Sequence, residues 1–436
     1  MTSTLIKHAR VVMGENKLVK CDLLLKDGLI AELAEDLVCE ADHIVDAKMA
    51  LLLPGLIDVH VHFREPGFAD KETIATGSSA AARGGFTTVF AMPNLNPVVD
   101  NVAVLQNMQA LNRRDAVVKI KQYAAISAGL TANKVDDLPA LAKAGAIAFT
   151  NDGKGVQTAD TMYQAMQAAA KVHKVLVAHV EDDSLIHAGV MNAGPSAKAL
   201  GLPGASKLSE TSQLARDLMI AKATGVHYHV AHLSALESVE LIRIAKQHSI
   251  NVTAEVSPHH LLLDDSMIVK DDANMKMNPP LRSADDRAAL IAGLLDGTID
   301  MVATDHAPHT DREKAQSMLT APNGVTGIET SFPLLYTHLV KPGIMTWHRL
   351  LEVMNQKAAE VFGLTDAATK LAVGQPADLA LFDIDHAHTI RADEFASKGS
   401  NSPFINWTIF GQTQATWVNG KQVYAAERSE AWQNVI

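Results

Sequence analysis

His60-Val61-His62 sets two imidazoles two residues apart. On an extended strand successive side chains alternate faces, so both rings point the same way. Four more apolar runs end in comparable groups. Asp152 closes AFTNDGKG, His179 closes LVAHVED, His232 closes YHVAHLS, and Asp305 with His306 closes VATDHAPH. Imidazole and carboxylate together suit borderline divalent ions, zinc above all. Four imidazoles and two carboxylates exceed what one tetrahedral ion takes, which fits two metal ions about 3.5–4 Å apart.

Arg64 follows two residues after His62, in HFREPG. A guanidinium beside a cationic centre is unfavourable unless an anion joins it, so a carboxylate-bearing substrate held bidentately is its natural partner. Asn94 (MPNLNP) and Asn278 (KMNPPLR) follow two further strand candidates, where spacing alone equally allows a plain turn role. His259-His260 either lines the same pocket or supports it, and His227 and His229 read as structural. The polar stretch 309–327 ends in glycines and reads as a lid or a connector.

Such residues need a scaffold that brings strand ends together. Between residues 56 and 306, eight short apolar runs alternate with Ala-rich amphipathic stretches, the βα rhythm of a parallel sheet. The expected strands are 56–63, 87–93, 119–127, 146–152, 174–182, 226–234, 250–258 and 299–306. Helices are expected at 101–114, 159–172, 210–223 and 285–295. Eight strands over this span predict an α/β chain with a (β/α)₈ barrel, whose strand ends converge at one mouth. A doubly wound sheet is the alternative. Both chain ends are β-rich, with Asp27-Gly28 and Asn419-Gly420 as two-residue hairpin turns. The reading is a small β-sandwich made of residues 1–53 and 366–436 around a barrel at 54–365.

Composition narrows the function. The chain has 436 residues and a formal net charge of −11, so it lacks the basic face of a nucleic-acid scaffold. No run of about 18 apolar residues is present to span a membrane. The N-terminal stretch lacks the apolar core of a signal peptide. Two cysteines, Cys21 and Cys39, form no disulfide framework and fit a reducing cytoplasm.

GLIDVHVHFREPG (55–67) and ATDHAPH (303–309) resemble the two signature segments of the cyclic amidohydrolases. With MPNLNP, FTNDG, SPHHL, MNPPLR and GQPADLALFD, the whole chain is similar to the longer bacterial-type dihydroorotases. The resemblance implies a zinc enzyme of pyrimidine biosynthesis that reversibly cyclises N-carbamoyl-L-aspartate to (S)-dihydroorotate. In it, His60 and His62 would hold one of two zinc ions per subunit, and His179 and His232 the other. Asp152 would bridge them, in the place of a carboxylated lysine. Asp305 would ligate the first zinc and serve as acid/base for a bridging hydroxide. His62, Arg64, Asn94, Asn278 and His309 would hold the substrate, with Asn323 and Gly324 closing over it. A homodimer and an association with aspartate carbamoyltransferase are further implications. Two positions depart from the family, which often has an aromatic residue at 323 and two aspartates where this chain reads Asn151-Asp152. The competing readings are a hydantoinase, dihydropyrimidinase or allantoinase, which generally lack arginine at position 64, or a non-catalytic assembly relative.

Overall fold

The computed structural model describes residues 3–426. Its α/β class is the one expected. Strands at Leu56–Val61, Phe86–Ala91 and Lys119–Gln122 form one parallel sheet. Phe149–Thr150, Leu176–Ala178, Tyr228–Val230, Val252–Val256 and Met301–Val302 form a second, also parallel. Parallel bridges between Ala124 and Phe149 and between Val61 and His306 join the two sheets at both edges. Eight strands therefore follow one another in chain order around a closed circuit. Every residue of Leu56–Val61 and Phe86–Ala91 is buried, as parallel strands covered on both faces require.

Each of the eight expected strands is present, and each is shorter than its apolar run. The runs outlast the strands because the backbone at or just past several of their ends leaves extended geometry. Three non-glycine residues there have left-handed φ: Arg64 at 61°, His232 at 31° and Asp305 at 47°. Such conformations cost on the order of 1–3 kcal/mol each and persist where the surroundings over-determine them. The expected helices appear as Val102–Asp115, Ala159–Lys171, Leu208–Thr224 and Ala284–Asp296. Asn101, Thr158 and Ser283 cap three of them by accepting from an N3 amide.

The two chain ends share one sheet. Leu51–Pro54 pairs antiparallel with Leu379–Asp383, and strands from both ends extend the sheet on either side of that seam. Ile6, Leu23, Leu25, Leu52, Leu379, Leu381 and Trp417 make its buried core. The hairpin turns form where expected, with positive φ at Asp27, Gly28, Asn419 and Gly420. They also abut, since a Cβ on Gly28 would lie 3.3 Å from the Asn419 carbonyl oxygen. No helix among the described residues is long and apolar enough to cross a membrane.

Candidate active site

The closing bridge between strands one and eight sets the geometry. The His62 amide donates to the His306 carbonyl at 2.9 Å, which carries His60 and His62 alongside Asp305. Beneath them the buried Asp58 carboxylate accepts from the amides of His60 and Thr304, 3.1 Å each, and from the Thr304 hydroxyl. Burial pushes the Asp58 carboxyl up to about 7.

Asp152 stands at the centre of four imidazoles. Its Oδ1 lies 3.2 Å from His60 Nε2, 3.6 Å from His232 Nε2 and 4.0 Å from His179 Nδ1. Its Oδ2 lies 3.4 Å from His62 Nε2. Asp305 Oδ1 is 3.0 Å from His62 Nε2 and 3.4 Å from His60 Nε2. All six strand-end residues are thus brought together, and all are buried. Burial alone would raise the Asp152 carboxyl, yet His60, His232 and His62 outweigh it and hold the group well below the usual carboxylate range. Asp305 is likewise lowered against its burial by His60 and His62.

His60 Nε2 and Asp152 Oδ1 are buried and close, yet neither makes a hydrogen bond. An unpaired buried nitrogen facing an unpaired carboxylate oxygen is costly unless a cation lies between them. Two overlapping groups have donor atoms within 4.8 Å of one another: His60 with His62 and Asp305, and His60 with Asp152 and His232. This donor set fits divalent metal.

The other expected residues surround the cluster. Arg64, half-buried, donates from Nε to the Pro308 carbonyl at 3.3 Å, and its Nη2 lies 3.3 Å from His309 Nε2. That nitrogen of His309 is 2.8 Å from the Asn323 carbonyl, and Nδ1 lies 3.4 Å from Lys71 Nζ. The Asn323 and Lys71 contacts fit a neutral ring with its proton on Nε2, which makes the Arg64 approach a contact between two donors and not a hydrogen bond. Burial first, then Arg64 and Lys71, pushes His309 down to about 3. No carboxylate among the described residues pairs with Arg64, although Asp305 and Asp152 favour its charge against burial. Asn94 Oδ1 accepts from His62 Nδ1 at 3.0 Å, and Asn278 Nδ2 donates to Glu181 at 2.6 Å beside His179. The stretch 309–327 is anchored along its length: Met318 and Val325 are buried, and Lys314 Nζ donates to the carbonyls of Lys276, Pro322 and Gly324.

A model of the family described as "Dihydro-orotase-like" matches residues 48–238. A dihydroorotase of Lactiplantibacillus plantarum is 55% identical over 98% of this chain and 99% of its own length. One from Enterococcus faecalis is 53% identical over 97% and 99%. The chain belongs to the dihydroorotase family. The same fold extends beyond dihydroorotases: the L-hydantoinase of Arthrobacter aurescens superposes with a TM-score of 0.88 at 27% identity, over 98% of this chain and 97% of that one.

In this dihydroorotase-family site several residues escape a strand-end search. Glu255 Oε1 accepts from His60 Nδ1 at 2.7 Å, and Oε2 lies 3.1 Å from His229 Nε2. The signal was present as a lone acid inside the apolar run INVTAEVSP. Glu181 stands two residues past His179, the same spacing as His60 and His62, whereas Lys71 and Lys314 carried no spacing signal. His259 and His260 both bond Ser257 Oγ, which places them as supports. Asn151, where the family often has aspartate, accepts from the amides of Ile126 and Ser127 and so ties two loops together.

Proposed function

We propose that the chain is a dihydroorotase that closes N-carbamoyl-L-aspartate to (S)-dihydroorotate with loss of water, and opens it in reverse. Arg64 carries this reading. It is a half-buried guanidinium without an ion-pair partner among the described residues, beside a donor cluster suited to metal, so an anionic substrate completes both. A neutral cyclic ureide would leave the guanidinium unpaired.

His60, His62 and Asp305 would hold one zinc ion, His179 and His232 a second, and Asp152 would bridge. When bound, the metal pair supplies a hydroxide from water at neutral pH and an electrophile for the ring carbonyl. In the ring-opening direction Asp305, held low and facing the same point as His60 and His62, can take the proton left on the attacking hydroxide oxygen and deliver it to the leaving ring nitrogen. Arg64 and His309 clamp the carboxylate, and the backbone at Asn323 and Gly324 closes over it. Asn94 and Asn278 reach the substrate from positions that already brace His62 and the His179–Glu181 pair. Ring closure is already intramolecular, so clamping contributes orientation, holding the ureido nitrogen against the carboxyl carbon it attacks.

The closed circuit of eight strands supports a (β/α)₈ barrel at 54–365, and the shared sheet of the chain ends supports a small β-sandwich from 1–53 and 366–436. The same reading carries a cytoplasmic homodimer able to associate with aspartate carbamoyltransferase, which sedimentation of the purified chain with and without that enzyme checks. The deciding experiment is hydrolysis of dihydroorotate against a panel of hydantoin, dihydrouracil and allantoin, with metal content measured on the same sample. Faster turnover of any neutral ureide would overturn the assignment.

A further inference from the structure

Residues 396–401 lie far from the ring strands in sequence, yet they bind the loops that follow strands one and eight. Asn401, 4% exposed, is the centre of this strap. Its Oδ1 accepts from the His309 amide at 3.0 Å, and its Nδ2 donates to the carbonyls of Ala307 at 3.2 Å and Gly324 at 3.0 Å. Its own carbonyl accepts from the Thr326 amide at 2.9 Å. One residue therefore ties both flanks of the pocket wall, its side chain holding Ala307, His309 and Gly324 and its backbone Thr326. The strap is itself anchored. Buried Glu72 accepts from the Lys398 amide and the Ser397 hydroxyl, Glu329 accepts from the amides of Ala396 and Ser397, and Lys398 Nζ donates to the Ala69 carbonyl. Gly399 packs on Pro308 so closely that a Cβ would lie 2.6 Å from the proline's.

We propose that Asn401 is a positioning residue for substrate binding: it sets the spacing between His309 and the Asn323-Gly324 backbone, and so the width of the carboxylate clamp opposite Arg64. This rests on the reading in which those groups hold the substrate. Asn401 contacts none of the six clustered residues, so its loss is expected in binding and not in metal retention.

Asn401→Asp tests it, because the change keeps the volume but turns an oxygen toward two carbonyl oxygens. With two hydrogen bonds lost, KM for dihydroorotate should rise about tenfold or more, with kcat within a few-fold and metal per chain unchanged. An unmoved KM, or a joint collapse of kcat and metal content, would overturn the proposal. Hydrogen exchange on the unsubstituted chain needs no variant to fold. Saturating dihydroorotate should slow exchange at 397–402 together with 307–309 and 323–326, and protection confined to the latter two stretches would also overturn it. If the metal-replete unsubstituted chain neither binds nor turns over dihydroorotate, the functional reading fails first and this assignment with it. Normal turnover with an unmoved variant KM removes the strap alone.

Discussion

Glu255 Oε1 sits 2.7 Å from His60 Nδ1, while His60 Nε2 faces Asp152 at 3.2 Å. The carboxylate thus accepts from Nδ1–H, the arrangement that would leave the Nε2 lone pair free for a metal at the centre of the cluster. The same Oε1 accepts from the His232 amide at 3.3 Å, so one buried oxygen orients residues from two strands. Burial would raise Glu255, but His60 and His229 outweigh it and hold the carboxyl at about 2. Partners of this kind typically change metal affinity by about 10- to 100-fold. Glu255→Gln should therefore remain folded and bind zinc about 10- to 100-fold more weakly, measured by chelator competition. Wild-type affinity in that variant would show that His60 is oriented by its strand alone.

Arg64→Met should keep its metal and lose substrate binding. A charge-assisted hydrogen bond contributes roughly 1.5–3 kcal/mol, so kcat/KM for dihydroorotate should fall by about 10- to 150-fold. Turnover of neutral dihydropyrimidines should change little. Comparing the two substrates on one preparation separates a clamp from a general structural role, and an unchanged preference removes Arg64 from the clamp.

Asp305→Asn is nearly isosteric but cannot shuttle a proton at neutral pH. A loss of about 10²–10⁴-fold in kcat is expected, with circular dichroism unchanged. Near-normal turnover in a metal-replete sample would move the proton shuttle to another group, with His259 or His260 next in line.

The bridge should be Asp152 itself, with no carboxylated lysine. Lys154 is exposed beyond Gly153, whose φ of 78° marks the turn away from the strand. Asp152→Ala should lose metal and nearly all activity, Lys154→Ala should stay within a few-fold of wild type, and added bicarbonate should have no effect. A dead Lys154→Ala enzyme rescued by bicarbonate would reverse the assignment.

His309 stays neutral in the free enzyme because burial, Arg64 and Lys71 all disfavour its cation, with the ring held down to about 3. An ordinary histidine would add a break near 6.5 to the pH profile of kcat/KM, which reports free-enzyme groups. The profiles of wild type and His309→Asn should therefore share every break between pH 5 and 8. A break near 6.5 that vanishes in the variant would mean that His309 titrates freely.

Local rules made much of this site legible. The HxH period, the polar residues closing apolar runs and the two hairpin turns depend on neighbours a few residues apart, where backbone geometry alone sets direction. The six clustered residues, all eight strands and four helices were readable on that basis. Tertiary structure decided what spans long separations. Ring closure at Val61 and His306 sets Arg64 beside His309, 245 residues away. At the strand ends Arg64, His232 and Asp305 also leave extended geometry where a strand period would have continued. Glu255 lies in mid-strand and Asn401 in a distant segment, and neither position has a periodicity to betray it. Their roles arise only where buried polar groups from separate segments must satisfy one another, a constraint that exists in the packed fold and not along the chain.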